Sequence, residues 1–432
     1  MNVWDALRDG YTEPVRDVLW GHIYMTGGLA DLIRTGAFTR LNRILQLGPA
    51  YGIYPGATHT RASHSIGVYH LARRLLLGLA ERGADAWLSG EGVLSFLCAA
   101  LLHDLGHFPY THSLKDLPLR THESLAAGLM VTPPLKELIG AAGGNPYLAA
   151  AIVDPRSGLY EGNEAGMAEL GFYRRLLSGC LDPDKLDYLN RDARYCGVPY
   201  GAQDVDFVFS RLYPHPERGM DIDSKGIPGV ESVLFAKYLM YRSVYWHVGV
   251  RSSTAMIKKA LLGGLRDGIL SRDQLYNLDD QGLMGLMAGL APGYPLFKMA
   301  ALVRDGRLYS VVGEFPFDER RHGVLADAAL RYRYEQALAV ELSAGRAMSI
   351  PPESIIIDVP EPVSFETGLY VTDEDRDFAE SSSVFAGGMV KNFVKALRIV
   401  RILADPLFEN KIKSRKDAAA ILHEGQNWLN II

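Results

Sequence analysis

Cysteine is scarce in this chain: Cys98, Cys180 and Cys196 are its three, with no CxxC spacing among them. That excludes a disulfide-stapled scaffold and suits a reducing, cytoplasmic setting. Cys98 sits inside the apolar run VLSFLCAALL, where a thiol reads as an inert packing group and not as a nucleophile. No apolar run reaches the roughly 18 residues a spanning helix needs, so no membrane association is expected. The opening residues, MNVWDALRDG, lack the basic-then-apolar layout of a secretory signal. With a net charge of −5 there is no global basic field to draw in nucleic acid. A GxxxxGK[ST] loop is absent, which removes a P-loop mechanism. Internal repeats, low-complexity tracts and long linkers are absent too.

What is present is an ordinary globular composition, 48% hydrophobic and 22% charged, in a length of 432 residues that fits two or three structural units. HIYMT reads as a short strand. LADLIRTGAFTRLNRILQLG reads as a helix closed by Gly48-Pro49, and AYGIYPG as an extended connection. From Ser63 the periodicity turns helical, with His64, Val68, Leu71 and Leu75 on one inward face. GVLSFLCAALLHD is apolar nearly all round, so it is expected at the centre of the core, with His103 and Asp104 in its last turn and Gly106 ending it. DPDKLDYLNRDARYCG begins with Asp182 as N-cap and Pro183 at the first helical position, and stops at Gly197. One long aromatic-rich helix is expected over about 230–265. Farther on, ESIIIDVP and SFETGLYVT have strand composition, and GGMVKNFVKALRIVRILADP looks helical. The expected organisation is a unit over 1–265 and an α+β C-terminal lobe over 266–432.

Seven of the twelve histidines fall between residues 59 and 122. Metal or phosphate chemistry is the usual reason for such crowding. His64 and His103 lie on inward faces of successive helices, and Asp104 adjoins the second. Buried, these groups need partners, and one divalent cation would satisfy all three. Mixed imidazole and carboxylate ligands suit Fe, Mn, Co or Zn and leave Mg admissible. A hydrogen-bonded core pair ringed by surface histidines is the plainer alternative. On the 182–197 helix, Asp184, Tyr188 and Arg191 share one face, overlapped by Lys185, Tyr188 and Asp192. Leu186 and Leu189 lie opposite. Such a face is either simply solvated or a metal ligand flanked by a phosphate binder. His22, His215, His322 and His423 read as surface or turn residues.

The segments HTRASHSIGVYHLA, LLHDLGHFPYTH, THES and DPDKLDYLNRDARYCGV, in that order, resemble the HD-domain phosphohydrolases. The likeness is strongest to the branch of deoxynucleoside-triphosphate (dNTP) triphosphohydrolases that includes the mammalian sterile-alpha-motif/HD-domain dNTPase. It runs over about 15–265 and more loosely beyond. It implies a mainly α fold, an HD-domain helical core with a smaller α+β C-terminal lobe packed on it and involved in oligomerisation. It implies a metal held by His64, His103, Asp104 and Asp184, one divalent transition ion (Fe, Mn, Co or Zn, with Ni admissible) alongside any Mg carried by the nucleotide. His107, His112 and His122 match histidines lining the reacting phosphate, His122 as general acid. Arg61, Lys185 and Tyr188 match triphosphate and sugar contacts, and Lys237 stands where an arginine often clamps the terminal phosphate. Gln46, Leu47 and Asp192 match positions that check the deoxyribose, and Tyr245 one that packs on the sugar. The implied activity releases deoxynucleoside and tripolyphosphate. The implied partners are a dNTP, a regulatory nucleotide and further copies of the chain in a dimer or tetramer. A nucleotide monophosphatase, a cyclic-nucleotide phosphodiesterase and a non-catalytic nucleotide sensor are the alternatives. Besides Lys237, two departures stand out. Phe108 replaces the glycine usual after the motif histidine. Lys115 stands where an acid-assisting carboxylate is expected, with Asp116 one residue later.

Overall fold

The computed structural model describes residues 1–344, 349–385 and 388–414. It is mainly helical, with small sheets beside the helical core and in the C-terminal part. His423 lies outside the described residues.

Three helices make the frame of the site. The helix Arg61–Glu81 starts where the Thr60 hydroxyl accepts from the Ser63 N–H, a normal N-cap. It buries His64, Val68, Leu71 and Leu75, the stripe its periodicity predicts. Gly90–Leu102 starts at the Ser89 cap and is buried along almost its whole length. An all-apolar helix is stable only when covered on every side, and this one is sandwiched between Arg61–Glu81 and Pro146–Val153. Pro183–Cys196 is capped by Asp182 and closed by Gly197 in the left-handed region (φ +68°), as its sequence predicts, and packs across Arg61–Glu81.

The structure departs from expectation chiefly in four elements, and in AYGIYPG, whose first three residues are not extended but end a 3₁₀ turn over Gly48–Gly52. The helix expected over 29–48 is broken, because Thr35 caps a second short helix at Gly36–Arg40 with its hydroxyl. A local hydroxyl-to-backbone bond competes with helix continuation there. The long helix expected over 230–265 is two, Ile227–Met240 and Val248–Arg266, joined by a π-helical turn at Tyr241–Tyr245. The rings of Tyr241, Tyr245 and Trp246 pack edge to face in that turn. The helical-looking 387–406 run yields a helix only to Leu397; Ile399–Ala404 is the central strand of a three-stranded sheet, between Ser310–Pro316 and Ile355–Asp358. A central strand buried on both faces reads as a continuous apolar run, so alternation cannot reveal it. Of SFETGLYVT only Tyr370–Val371 is strand.

The HIYMT strand forms, as Gly21–Met25, and pairs antiparallel with Glu13–Asp17. The segment between Ile355–Asp358 and Tyr370–Val371 contains no helix or strand. It returns to the helical frame: Val363, Phe365, Leu369 and Val371 join the core formed by the three frame helices, and Val371 pairs in parallel with Ile222. This strap carries a charged side chain to the site described next.

Candidate active site

His64, His103 and Asp104 present ligand atoms within 4.8 Å of one another. Asp184 closes the group from the Pro183–Cys196 helix, its Oδ1 2.9 Å from His64 Nε2 and 3.6 Å from His103 Nε2. His64 and Asp104 are buried, whereas the Asp184 side chain keeps 35% of its surface, so the group opens on that side. Hydrogen positions follow from the partners. His103 Nδ1 faces the Ala100 carbonyl at 2.9 Å and must donate to it. His103 Nε2 is then a bare lone pair, buried, with no hydrogen-bond partner, 3.2 Å from Asp104 Oδ1. His64 Nδ1 likewise donates to Asp187 Oδ2 at 2.8 Å, which turns its Nε2 lone pair toward Asp184. Lone pairs converging on two carboxylates repel unless a proton or a cation lies between them. Burial works against charge on His64, yet Asp184 and Asp187 outweigh it and raise its pKa to about 10. The donor set therefore fits a divalent cation held by two imidazoles and two carboxylates.

Asp187 is the supporting residue that the sequence reading missed. It is fully buried, accepts two bonds from Arg191 (2.8 and 2.9 Å) and one from Trp20 Nε1 (2.6 Å), and Arg191 also donates to Asp17. A carboxylate behind a metal-ligating imidazole fixes its tautomer and orientation. Asp187 shares the face of Asp184 and Arg191, and an acid four residues before an arginine was the available signal, although it reads equally as a solvated ion pair. Gly67 is what lets the two helices meet here: a Cβ at that position would fall 1.9 Å from Asp187 Oδ1.

His107, His112 and His122 form a second close group. His107 Nδ1 donates toward Asp104 Oδ1 at 3.0 Å, so its Nε2 accepts from His112 Nε2 at 3.0 Å. The His107 and His122 rings are 4.0 Å apart. Burial above all, with Arg61 and Lys115 also contributing, depresses the His122 pKa to about 3, and Asp104 opposes only in part. Burial likewise holds His107 and His112 well below the usual imidazole range. His122 is therefore unprotonated near pH 7 in this state. Gly106 permits the crowding, since a Cβ there would meet the His122 carbonyl oxygen at 2.0 Å. Arg40, another residue the sequence reading passed over, staples the loop by donating to the Leu105 and His107 carbonyls at 2.7 and 2.6 Å. Phe108 is buried in a second core, edge-on to Tyr276 at 5.5 Å. Asp116 does not face a histidine: it pairs with Lys258 and Arg331.

Several of the residues matched to substrate contacts are engaged with protein groups. Arg61 donates to Asp104 Oδ2 at 2.7 Å. Lys185 donates to Asp182 at 2.7 Å and to the Gly179 carbonyl at 2.9 Å. Lys237 donates to Glu366 of the strap at 3.0 Å. Of the residues matched to sugar contacts, Asp192, Tyr245 and Tyr188 come together. Leu45 bridges to Thr60, which sets Gln46 and Leu47 beside the start of the Arg61–Glu81 helix, and the Gln46 side-chain oxygen is buried without a partner. Asp192 accepts from Tyr245 OH at 2.6 Å and from the buried His59 Nε2 at 2.8 Å. The Tyr188 and Tyr245 rings lie 6.4 Å apart, edge to face.

A family model of the HD domain matches residues 61–134, and one of the HD associated region matches residues 214–396. The chain is 35% identical over 233 residues to the uncharacterized protein YwfO of Bacillus subtilis, covering 54% of this chain and 51% of that protein. It is 31% identical over 277 residues to the human deoxynucleoside triphosphate triphosphohydrolase SAMHD1, covering 57% and 44%. The chain thus spans about half the length of the curated relatives it matches. A crystal structure of a hypothetical protein from Aquifex aeolicus shares the fold with a TM-score of 0.69 at 23% identity, covering 93% of this chain and 99% of that one. A phosphohydrolase structure from Bacteroides thetaiotaomicron does so equally, with a TM-score of 0.69 at 23% identity over 91% and 100%. Residues 61–134 carry an HD domain, and these matches together support the HD phosphohydrolase superfamily, with a dNTPase-like resemblance. Among the described residues, no helix is long and apolar enough to cross a membrane.

Proposed function

We propose that the chain is a metal-dependent phosphohydrolase, and that its reaction is dNTP hydrolysis to deoxynucleoside and tripolyphosphate. The observation carrying this reading is the convergence of His64, His103, Asp104 and Asp184, buried but for its open Asp184 side, beside the His107–His112–His122 group. The cation would supply Lewis acidity toward a phosphoryl oxygen and lower the pKa of water toward about 7. The oxygen of water bonds the α-phosphorus as the water gives up one proton to solvent, the bond to the 5′ oxygen breaks, and His122 protonates that oxygen. Its depressed pKa leaves His122 unprotonated beforehand; the negative charge of the substrate raises it, so the proton arrives with the ligand. Gln46, Leu47, Asp192 and Tyr245 hold the deoxyribose, and Tyr188 packs at its edge. Arg61, Lys185 and Lys237 offset the phosphate charge. In this reading residues 1–265 form the HD unit and 266–432 a C-terminal lobe that also carries contacts between copies, in a dimer or tetramer regulated by nucleotide.

One observation favours a second reading. Lys237 and Lys185 already face a carboxylate, so a monophosphate or cyclic nucleotide would use the metal without disturbing them. Incubating metal-replete protein with the four dNTPs, nucleoside monophosphates and cyclic nucleotides separates the two. Tripolyphosphate and deoxynucleoside in equal amounts are expected; free phosphate alone, or no turnover of dNTPs, would contradict the first reading.

A further inference from the structure

Lys237 is buried, its side chain only 6% exposed, on the Ile227–Met240 helix, and Lys185 is the neighbour of the ligand Asp184. Between the two ammonium groups lies Glu366, with Oε2 3.0 Å from Lys237 Nζ and 3.6 Å from Lys185 Nζ. Its other oxygen accepts from the Ser364 hydroxyl at 2.6 Å. The strap that carries it has no regular structure of its own, but Phe365 and Leu369 on either side are buried in the frame core. Glu366 is thus delivered to the lysine pair by its anchored neighbours. Lys237 also lies over the Phe365 ring, 5.3 Å from its centre. Lys185 also donates to Asp182 at 2.7 Å, so Glu366 is its second, longer anion and the direct ion-pair partner of Lys237, whose ammonium needs one in a largely dry setting.

We propose that Glu366 is an internal anion holding the Lys185–Lys237 subsite, and that a phosphoanion ligand binds there by displacing it. The inference rests on the reading that this site takes a phosphorylated ligand, and it concerns which charge state the site accepts. One carboxylate contributes a single negative charge and two acceptor atoms. A polyphosphate contributes several charges and more oxygens, so it wins the lysines, and the 35%-exposed Glu366 moves toward water. A singly charged ligand does not win this exchange. Glu366 therefore sets a threshold of anionic charge and acts on specificity, without touching the reacting atoms.

The test measures tripolyphosphate binding to the full chain by calorimetry, with no turnover involved. Glu366→Gln should bind about tenfold tighter than wild type, as expected when one charge-assisted contact no longer has to be broken. Ser364→Ala, which loosens Glu366 without removing its charge, should shift the same way by a smaller factor. Glu217→Gln, on the exposed turn between Leu212–His215 and Gly219–Ile222, controls for net charge and should change nothing. A dNTP showing the same shift assigns the subsite to the polyphosphate of a nucleotide, and a shift for tripolyphosphate alone assigns it to free polyphosphate. Affinity in Glu366→Gln equal to or weaker than wild type, or matched by Glu217→Gln, overturns the inference. Where Glu366→Gln fails to fold, Ser364→Ala decides by the same signs. A chain that hydrolyses no dNTP can still show the shift, and one that hydrolyses dNTPs can lack it, so the two claims fail separately.

Discussion

Asp104→Ala is expected to empty the metal centre and to lower phosphohydrolase turnover by a factor on the order of 10³ or more, the equivalent of about 4 kcal/mol of transition-state stabilisation. The size of the effect follows from the position of Asp104. One carboxylate oxygen is 3.2 Å from His103 Nε2 and 3.0 Å from His107 Nδ1, and the other accepts from Arg61 at 2.7 Å. Burial would push such a group toward its neutral form. His107, His103 and Arg61 outweigh that and hold it well below the usual carboxylate range, so it is charged whenever the protein is folded near neutral pH. Its loss removes a ligand, frees Arg61 and unfastens His107 together. Metal content by elemental analysis and turnover on the best dNTP are the two readouts. Chelation of the wild type should reproduce the variant's inactivity, and metal added back should restore the wild type alone. Metal and turnover retained in Asp104→Ala would contradict the assignment.

Asp187→Ala should be the most destabilising change near the site, although Asp187 is not among the proposed ligands. Its carboxylate is the shared acceptor of Arg191, Trp20 and His64, all in the dry interior between the Arg61–Glu81 and Pro183–Cys196 helices. Removing it leaves a buried guanidinium paired only through Asp17, a cost of about 3–5 kcal/mol for a broken buried pair. Asp187→Asn keeps the shape and loses the charge. Metal affinity should then fall about 10- to 100-fold, because His64 is no longer held with its Nε2 lone pair forward. Denaturant unfolding of the alanine variant and chelator competition on the asparagine variant measure the two effects. An affinity within twofold of wild type would sink the orienting role.

The site was legible in the sequence where local periodicity carries it. His64 follows from the stripe it shares with Val68 and Leu71, and His103-Asp104 from ending an apolar helix. Asp184 did not follow from its helix alone, whose face reads equally as solvated; the family resemblance singled it out. What could not be read was set by contacts distant in sequence. Trp20 meets Asp187 across 167 positions, and Lys237 meets Glu366 across 129. No local pattern announces that a lysine matched to a phosphate contact already faces a carboxylate. The helical frame was readable for the same reason as the ligands. The central strand Ile399–Ala404 was not, because burial on both faces erases the alternation that marks a strand. Phe108 is the instructive residue of the HD loop: it departs from the family pattern, and the second core that receives its ring is formed by residues far along the chain.

The most direct measurement is anomalous scattering from crystals of the chain loaded with manganese or iron. Two groups could attract the ion, the proposed ligand set and the His107–His112–His122 cluster. The account predicts a single strong peak bound by His64 Nε2, His103 Nε2, Asp104 and Asp184, with the three-histidine cluster left metal-free. A peak on His107, His112 and His122 in its place, or no ordered metal within reach of Asp184, would contradict it.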